Sequence, residues 1–251
     1  MCRATCGMTG RAPSDGTMGG MSAPALLAVS HGTADAAGQR AVASLVKAVA
    51  ERLPDVMVRA AHVDVEQPDV PTALAAIDGP VVVVPLLLSA GYHVHVDLAE
   101  ATADRADAVV AGALGPDERL ADVLAARLRE RADLAAAGVI LVAAGSSDER
   151  ANADCRTVGE HLAARLGAPV SVAFLSAATP KLEDAVATAS PGTVAATYLL
   201  APGFFADRAA ARATPLAASA PLLGDPDAGI PVPAALVDVV IDRYRAAVRA
   251  R

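Results

Sequence analysis

Residues 24–35 read "PALLAVSHGTAD", and residues 138–149 read "GVILVAAGSSDE". Each is a short aliphatic run that stops at a glycine and closes on polar and acidic residues. A run of this length bounded by turn residues is a strand buried on both faces. The likeness continues along the chain. "VRAAHVDVEQPDVPTAL" (58–74) is echoed by "VSVAFLSAATPKLEDAV" (170–186), and "VPLLLSAGYHVHVD" (84–97) by "TYLLAPGFFADR" (197–208). The three echoes keep their order and a spacing of 112 or 113 residues. Repetition of this kind marks an internal duplication.

Within each copy, apolar runs alternate with Ala-rich amphipathic stretches. The strands of the first copy are expected at 25–30, 56–65, 81–88 and 107–114, with helices at 37–53, stopping before Pro54, and at 116–132. Strand–helix alternation of this kind builds a parallel sheet covered on both faces. The expected fold is α/β: two tandem doubly wound parallel-sheet domains. Residues 1–22 are rich in Gly, Met, Ser and Thr and are expected to form a disordered leader. The first domain is expected at 23–133 and a second, degenerate one at 134–251, joined near 132–137.

Composition narrows the function. Hydrophobic residues make up 54 % of the 251-residue chain, almost all Ala, Val and Leu; Trp is absent and there are three Phe and three Tyr. The net charge is −7 and no basic stripe is present, which argues against nucleic acid as a partner. Three cysteines, two of them in the leader, make no disulfide framework and suit a reducing cytoplasm. The longest apolar run is too short to span a bilayer. Neither a G-x-x-x-x-G-K-[ST] loop nor a G-x-G-x-x-G turn is present, so no ATP or other nucleotide is indicated.

The copies differ where chemistry could reside. His31 is matched by Ala144, Asp64 by Ser176 and His93 by Phe205. All three polar residues fall at carboxyl ends of expected strands, the edge where open parallel sheets bind ligands. Packing accounts for the apolar frame that both copies keep; it does not account for polar groups confined to one copy. Two imidazoles and a carboxylate suit iron, cobalt, nickel or zinc and leave coordination positions open. His95 is either an accessory ligand or a solvated residue at a helix start. His62 is assigned to core packing and His161 to the surface of a helix in the second copy.

With these residues in hand, the chain resembles the class II tetrapyrrole chelatases, specifically the sirohydrochlorin chelatases. The resemblance rests on "LLAVSHGTAD", "HVDVEQPDVPTAL" and above all "VVVVPLLLSAGYHVHVDL", and it extends over residues 24–245. It implies that His31 and His93 bind the metal and serve its insertion. The third ligand in that family is commonly a Glu four residues before a Pro, a position held here by Asp64, with Glu66 as the nearby substitute. The implied reaction is ATP-independent insertion of a divalent metal (iron, cobalt or nickel) into sirohydrochlorin, toward siroheme or cobalamin. The implied two-repeat form is a monomeric pseudo-dimer working without nucleic acid or membrane. Leu86, Leu87 and Leu88 would back the cleft, and Arg40, Arg150 and Arg208 are candidates for the substrate's carboxylates. Two rival readings share these residues. One is a histidine phosphatase, which lacks its arginine here because Ser30 precedes His31. The other is a metal or tetrapyrrole carrier without turnover.

Overall fold

The computed structural model describes residues 23–89, 91, 98–131 and 138–251. His93, His95 and Asp97, together with the leader and the expected junction at 132–137, lie outside the described residues. The first copy contains β1 (Ala25–Ser30), α1 (Ala36–Arg52), β2 (Val58–His62), α2 (Val70–Ala75), β3 (Val81–Pro85), β4 (Ala108–Val110) and α3 (Glu118–Arg129). The second contains β5 (Val139–Ala143), α4 (Glu149–Leu166), β6 (Val170–Phe174), α5 (Leu182–Ala187), β7 (Val194–Tyr198), α6 (Phe204–Ala213) and α7 (Ala234–Arg249).

The strands form two parallel sheets ordered β2-β1-β3-β4 and β6-β5-β7. In both, the first strand of the copy sits in the middle and is buried along its length, as Val, Leu and Ile runs without alternation require. The edge strands β2 and β6 share one burial pattern, exposed at the start and buried at the end. Ser30 pairs with His62 in the first sheet, and Ala143 with Phe174 at the same place in the second.

The strand expected over 107–114 is shorter than its apolar run. Only Ala108–Val110 pairs with β3, and all three residues are half-buried. Beyond it the chain still runs beside β3: the Leu114 N–H donates to the Leu87 carbonyl at 2.8 Å. Its counterpart in the second copy is reduced to one parallel bridge, between Ala195 and Ala218.

Each sheet has an apolar cluster of its own on one face, around Leu27 and Val83 in the first and Ile140 and Val142 in the second, and the two share one cluster on the other face. Leu26, Ala28, Val82 and Val84 of the first sheet belong to the same apolar cluster as Leu141, Ala143, Ala196 and Tyr198 of the second. The reason is an exchange of helices. α3, encoded in the first copy, packs on α4 and β7 of the second, while α7, encoded in the second, packs on α1 and β3 of the first. Polar contacts fix the exchange. The Tyr244 hydroxyl of α7 donates to the Pro24 carbonyl at 2.6 Å, and Arg243 Nε donates to the Ala113 carbonyl at 2.7 Å. In return, the buried Arg127 of α3 donates to the Leu222 carbonyl through Nη2 at 2.9 Å.

Candidate metal and tetrapyrrole site

The carboxyl edge of the first sheet carries the loop Ser30–Asp35 after β1. Gly32 turns this loop with φ +93°, a conformation that favours glycine. A Cβ there would stand 1.9 Å from the Asp64 carbonyl oxygen. That close approach lets the Asp64 N–H donate to the His31 carbonyl at 2.9 Å, so His31 and Asp64 lie side by side. Both are exposed. Asp64 Oδ1 accepts from the Val65 N–H at 2.8 Å, and Val65 itself takes φ +67°, which strains a β-branched residue. The second copy repeats the frame without the chemistry. Gly145 takes φ +85°, the Ser176 N–H donates to the Ala144 carbonyl at 3.0 Å, and Ala177 takes the left-handed conformation that Val65 has.

Glu66, the nearby substitute for Asp64, has a contact of its own. Its Oε1 accepts from the Thr33 N–H at 2.8 Å and lies 3.7 Å from His62 Nδ1, with the carboxylate largely buried. Glu66 therefore pins the loop that carries His31. His62 is buried and its Nδ1 pairs with the Ser30 hydroxyl at 2.8 Å, which fits the packing assignment. His62 occupies the place of the fully buried Phe174, so it fills a core position with a satisfied polar ring. His161 departs from expectation. It is half-buried on α4, and its Nδ1 is shut away from solvent with no partner among the described residues.

The cleft wall was legible only in part. Leu86 is buried, while Leu87 and Leu88 are half-exposed, and Leu88 is tied to the second copy by the Tyr198 hydroxyl, which donates to its carbonyl at 2.8 Å. Burial raises the Tyr198 hydroxyl well above its ordinary pKa, so it remains a donor. Burial also pushes the nearby Cys155 thiol up to about 12, so it stays protonated at neutral pH. Of the arginines, Arg40 is engaged by Asp225 and Asp227, each at 2.9 Å, and Arg150 by Asp148 at 2.9 Å. Both guanidiniums are exposed, so these are surface ion pairs. Arg208 Nε has no hydrogen-bond partner among the described residues.

The two carboxyl edges face each other. Gly203, just after β7, would place a Cβ 3.2 Å from Thr33 Oγ1, and Gly91, its counterpart after β3, would place one 3.9 Å from Ser146 Oγ. Thr33 and Ser146 are themselves counterparts, so the contact is pseudo-twofold. It brings the first copy's loop against the start of α6. Among the described residues no three His, Cys, Asp or Glu side chains are grouped to hold a metal. His31 and Asp64 are adjacent, and the remaining ligand that the motif implies, His93, lies outside the described residues.

Comparison with known proteins bears on this arrangement. A family model described as CbiX matches residues 25–131 and 138–221. No curated protein matches the sequence. Among solved structures, SirB from Bacillus subtilis with Fe3+ is similar at TM-score 0.71 and 20 % identity over 90 % of this chain and 96 % of that one. The sirohydrochlorin chelatase SirB from Bacillus subtilis subspecies spizizenii in complex with cobalt is similar at TM-score 0.70 and 17 % identity, with the same 90 % and 96 % coverage. CbiX, described as the terminal enzyme for biosynthesis of siroheme in denitrifying bacteria, is similar at TM-score 0.68 and 20 % identity over 89 % of this chain and 99 % of its own.

Proposed function

The chain belongs to the CbiX family, and on that premise we propose that it is a sirohydrochlorin chelatase, inserting a divalent metal ion into the tetrapyrrole without ATP. The observation that carries the reading is the pairing of His31 with Asp64 at the carboxyl edge of one copy, where the other copy has Ala144 and Ser176 on the same backbone frame. Family membership supports the reaction, and the asymmetry supports assigning it to the first copy. The structural relatives support the metal: one is described with Fe3+ and one with cobalt.

His31, Asp64 and His93 hold the metal, which is a substrate here and leaves in the product. Borderline nitrogen ligands with one carboxylate bind iron, cobalt or nickel firmly enough to displace part of the water shell. Three ligands leave room for the ring nitrogens to take over. The pyrrole N–H protons must depart as the metal enters, and an imidazole at the ring is a suitable acceptor. Glu66, through the Thr33 N–H, keeps the His31 loop in place for this. Ferrous iron would yield siroheme, and cobalt a precursor of cobalamin.

The first copy, 23–133, carries the metal site and the second, 134–251, completes the cleft. One chain with both copies forms the site as a monomer, in the cytoplasm. Among the described residues no helix is long and apolar enough to cross a membrane.

Anaerobic mixing of sirohydrochlorin with ferrous or cobaltous ion tests the reading. The protein should accelerate the absorbance change of metallation, and His31→Ala and His93→Ala should each remove at least about 100-fold of that acceleration while the protein stays folded. Tight binding of metal or tetrapyrrole with no acceleration would instead make the protein a carrier.

A further inference from the structure

Phe204 and Phe205 open α6 and are among the few large apolar side chains left in solvent, 68 % and 44 % exposed. The chain has only three Phe and no Trp, and the third, Phe174, is fully buried. Two of three are thus spent side by side on the surface, where a lone exposed apolar residue would need no explanation but a paired patch does. Their rings meet edge to face, with centroids 5.6 Å apart and planes at 85°. The Arg208 guanidinium carbon lies 5.9 Å from the Phe204 ring centroid, and its Nε is shut away from solvent with no partner among the described residues.

The position of this group gives it an occupant. Gly203, immediately before Phe204, touches Thr33 and Asp35 of the loop that carries His31, and Gly38 of α1 packs against the Pro202 carbonyl. The aromatic pair therefore adjoins the metal-binding edge of the other copy. It also occupies the stretch where the first copy carries His93: the second repeat has lost imidazole there and holds rings and a cation instead. A flat conjugated macrocycle fringed with carboxylates needs both an aromatic surface and an arginine.

Resting on the chelatase reading, we infer that Phe204, Phe205 and Arg208 form the second repeat's binding wall for the tetrapyrrole, the two Phe rings packing on its face and Arg208 pairing with a peripheral carboxylate. The labour is then divided: the first copy handles the metal and the second the ring. The apolar patch is filled by substrate and not by a second copy of the chain.

The test is titration of metal-free sirohydrochlorin, followed by its absorbance, into the wild-type protein, the Phe204→Ala/Phe205→Ala double variant, the milder Phe204→Leu/Phe205→Leu variant and Arg208→Met. Steady-state cobalt insertion is measured alongside. The double Ala variant should bind sirohydrochlorin about tenfold more weakly, with KM for sirohydrochlorin raised to match, KM for cobalt unchanged and thermal unfolding unchanged. The Leu variant should fall between, and Arg208→Met should weaken binding less as salt rises. Wild-type affinity in the double Ala variant overturns the inference and leaves the chelatase reading standing. So does a change of oligomeric state in that variant, which would make the patch a subunit contact. A wild-type protein that neither binds nor metallates sirohydrochlorin overturns both.

Discussion

At the residue scale, the site depends on backbone that side chains cannot easily replace. Gly32→Ala forces a Cβ onto the Asp64 carbonyl in a left-handed conformation, and Gly145→Ala does the same at the Ser176 carbonyl, 2.0 Å away. Each should cost at least about 2 kcal/mol in denaturant unfolding. Insertion should collapse only in Gly32→Ala, because only that turn aligns His31 with Asp64. Glu66 offers a second test. Glu66→Gln keeps an acceptor for the Thr33 N–H and should retain most stability and much of the rate, whereas Glu66→Ala orphans that N–H and should cost about 1–3 kcal/mol with a larger drop in kcat. The adjacency of His31 and Asp64 was foreshadowed by their shared absence from the sister copy, which has Ala144 and Ser176 on the same frame. The contact of Glu66 was not, because its partner Thr33 lies on a loop 33 residues away. The pairing of Arg40 with Asp225 and Asp227 was hidden for the same reason, since its partners come from the far end of the other copy.

At the scale of elements, α3 and α7 hold the copies together by crossing between them. α7 buries Leu236, Val237, Val240, Ile241 and Tyr244. Leu236→Ala should destabilise the protein by about 2–5 kcal/mol. Removal of residues 234–251 should prevent folding of the first copy, detectable as loss of cooperative thermal unfolding, since α7 packs on β3 and α1. One polar anchor of this exchange titrates. Burial pulls the Asp117 carboxyl up, but the hydrogen bonds from Arg119 and the charge of Arg243 on α7 outweigh it and leave its pKa below the ordinary value. Its contribution is therefore full above about pH 4 and is lost as pH falls through the lowered value. Asp117→Asn should weaken the protein at pH 7 and flatten that acid loss. The strands and helices themselves were legible from apolar runs, turn glycines and acidic caps such as Asp35 and Asp148, each of which accepts an N–H of the first turn that follows. The exchange of α3 and α7 was not, because an amphipathic helix declares that it has a buried face without saying which sheet it covers.

At the scale of the whole molecule, one backbone frame occurs twice, with His31 and Asp64 on the first and Ala144 and Ser176 on the second. The sheets share a core, their carboxyl edges meet across Thr33–Gly203 and Gly91–Ser146, and the polar residues gather on one side of that meeting. The α/β class and the repeat were readable from spacing alone; the shared core was not, since nothing in a repeat's periodicity distinguishes two beads from an intertwined pair. On the proposed function, the first copy alone holds the metal. Diffraction from crystals soaked in cobalt, recorded at the metal's absorption edge, tests it most directly. The account predicts one anomalous peak about 2.0–2.2 Å from an imidazole nitrogen of His31, with Asp64 and His93 completing the set and no peak beside Ala144 and Ser176. A cobalt ion bound away from His31, or bound equally at both copies' edges, would contradict it.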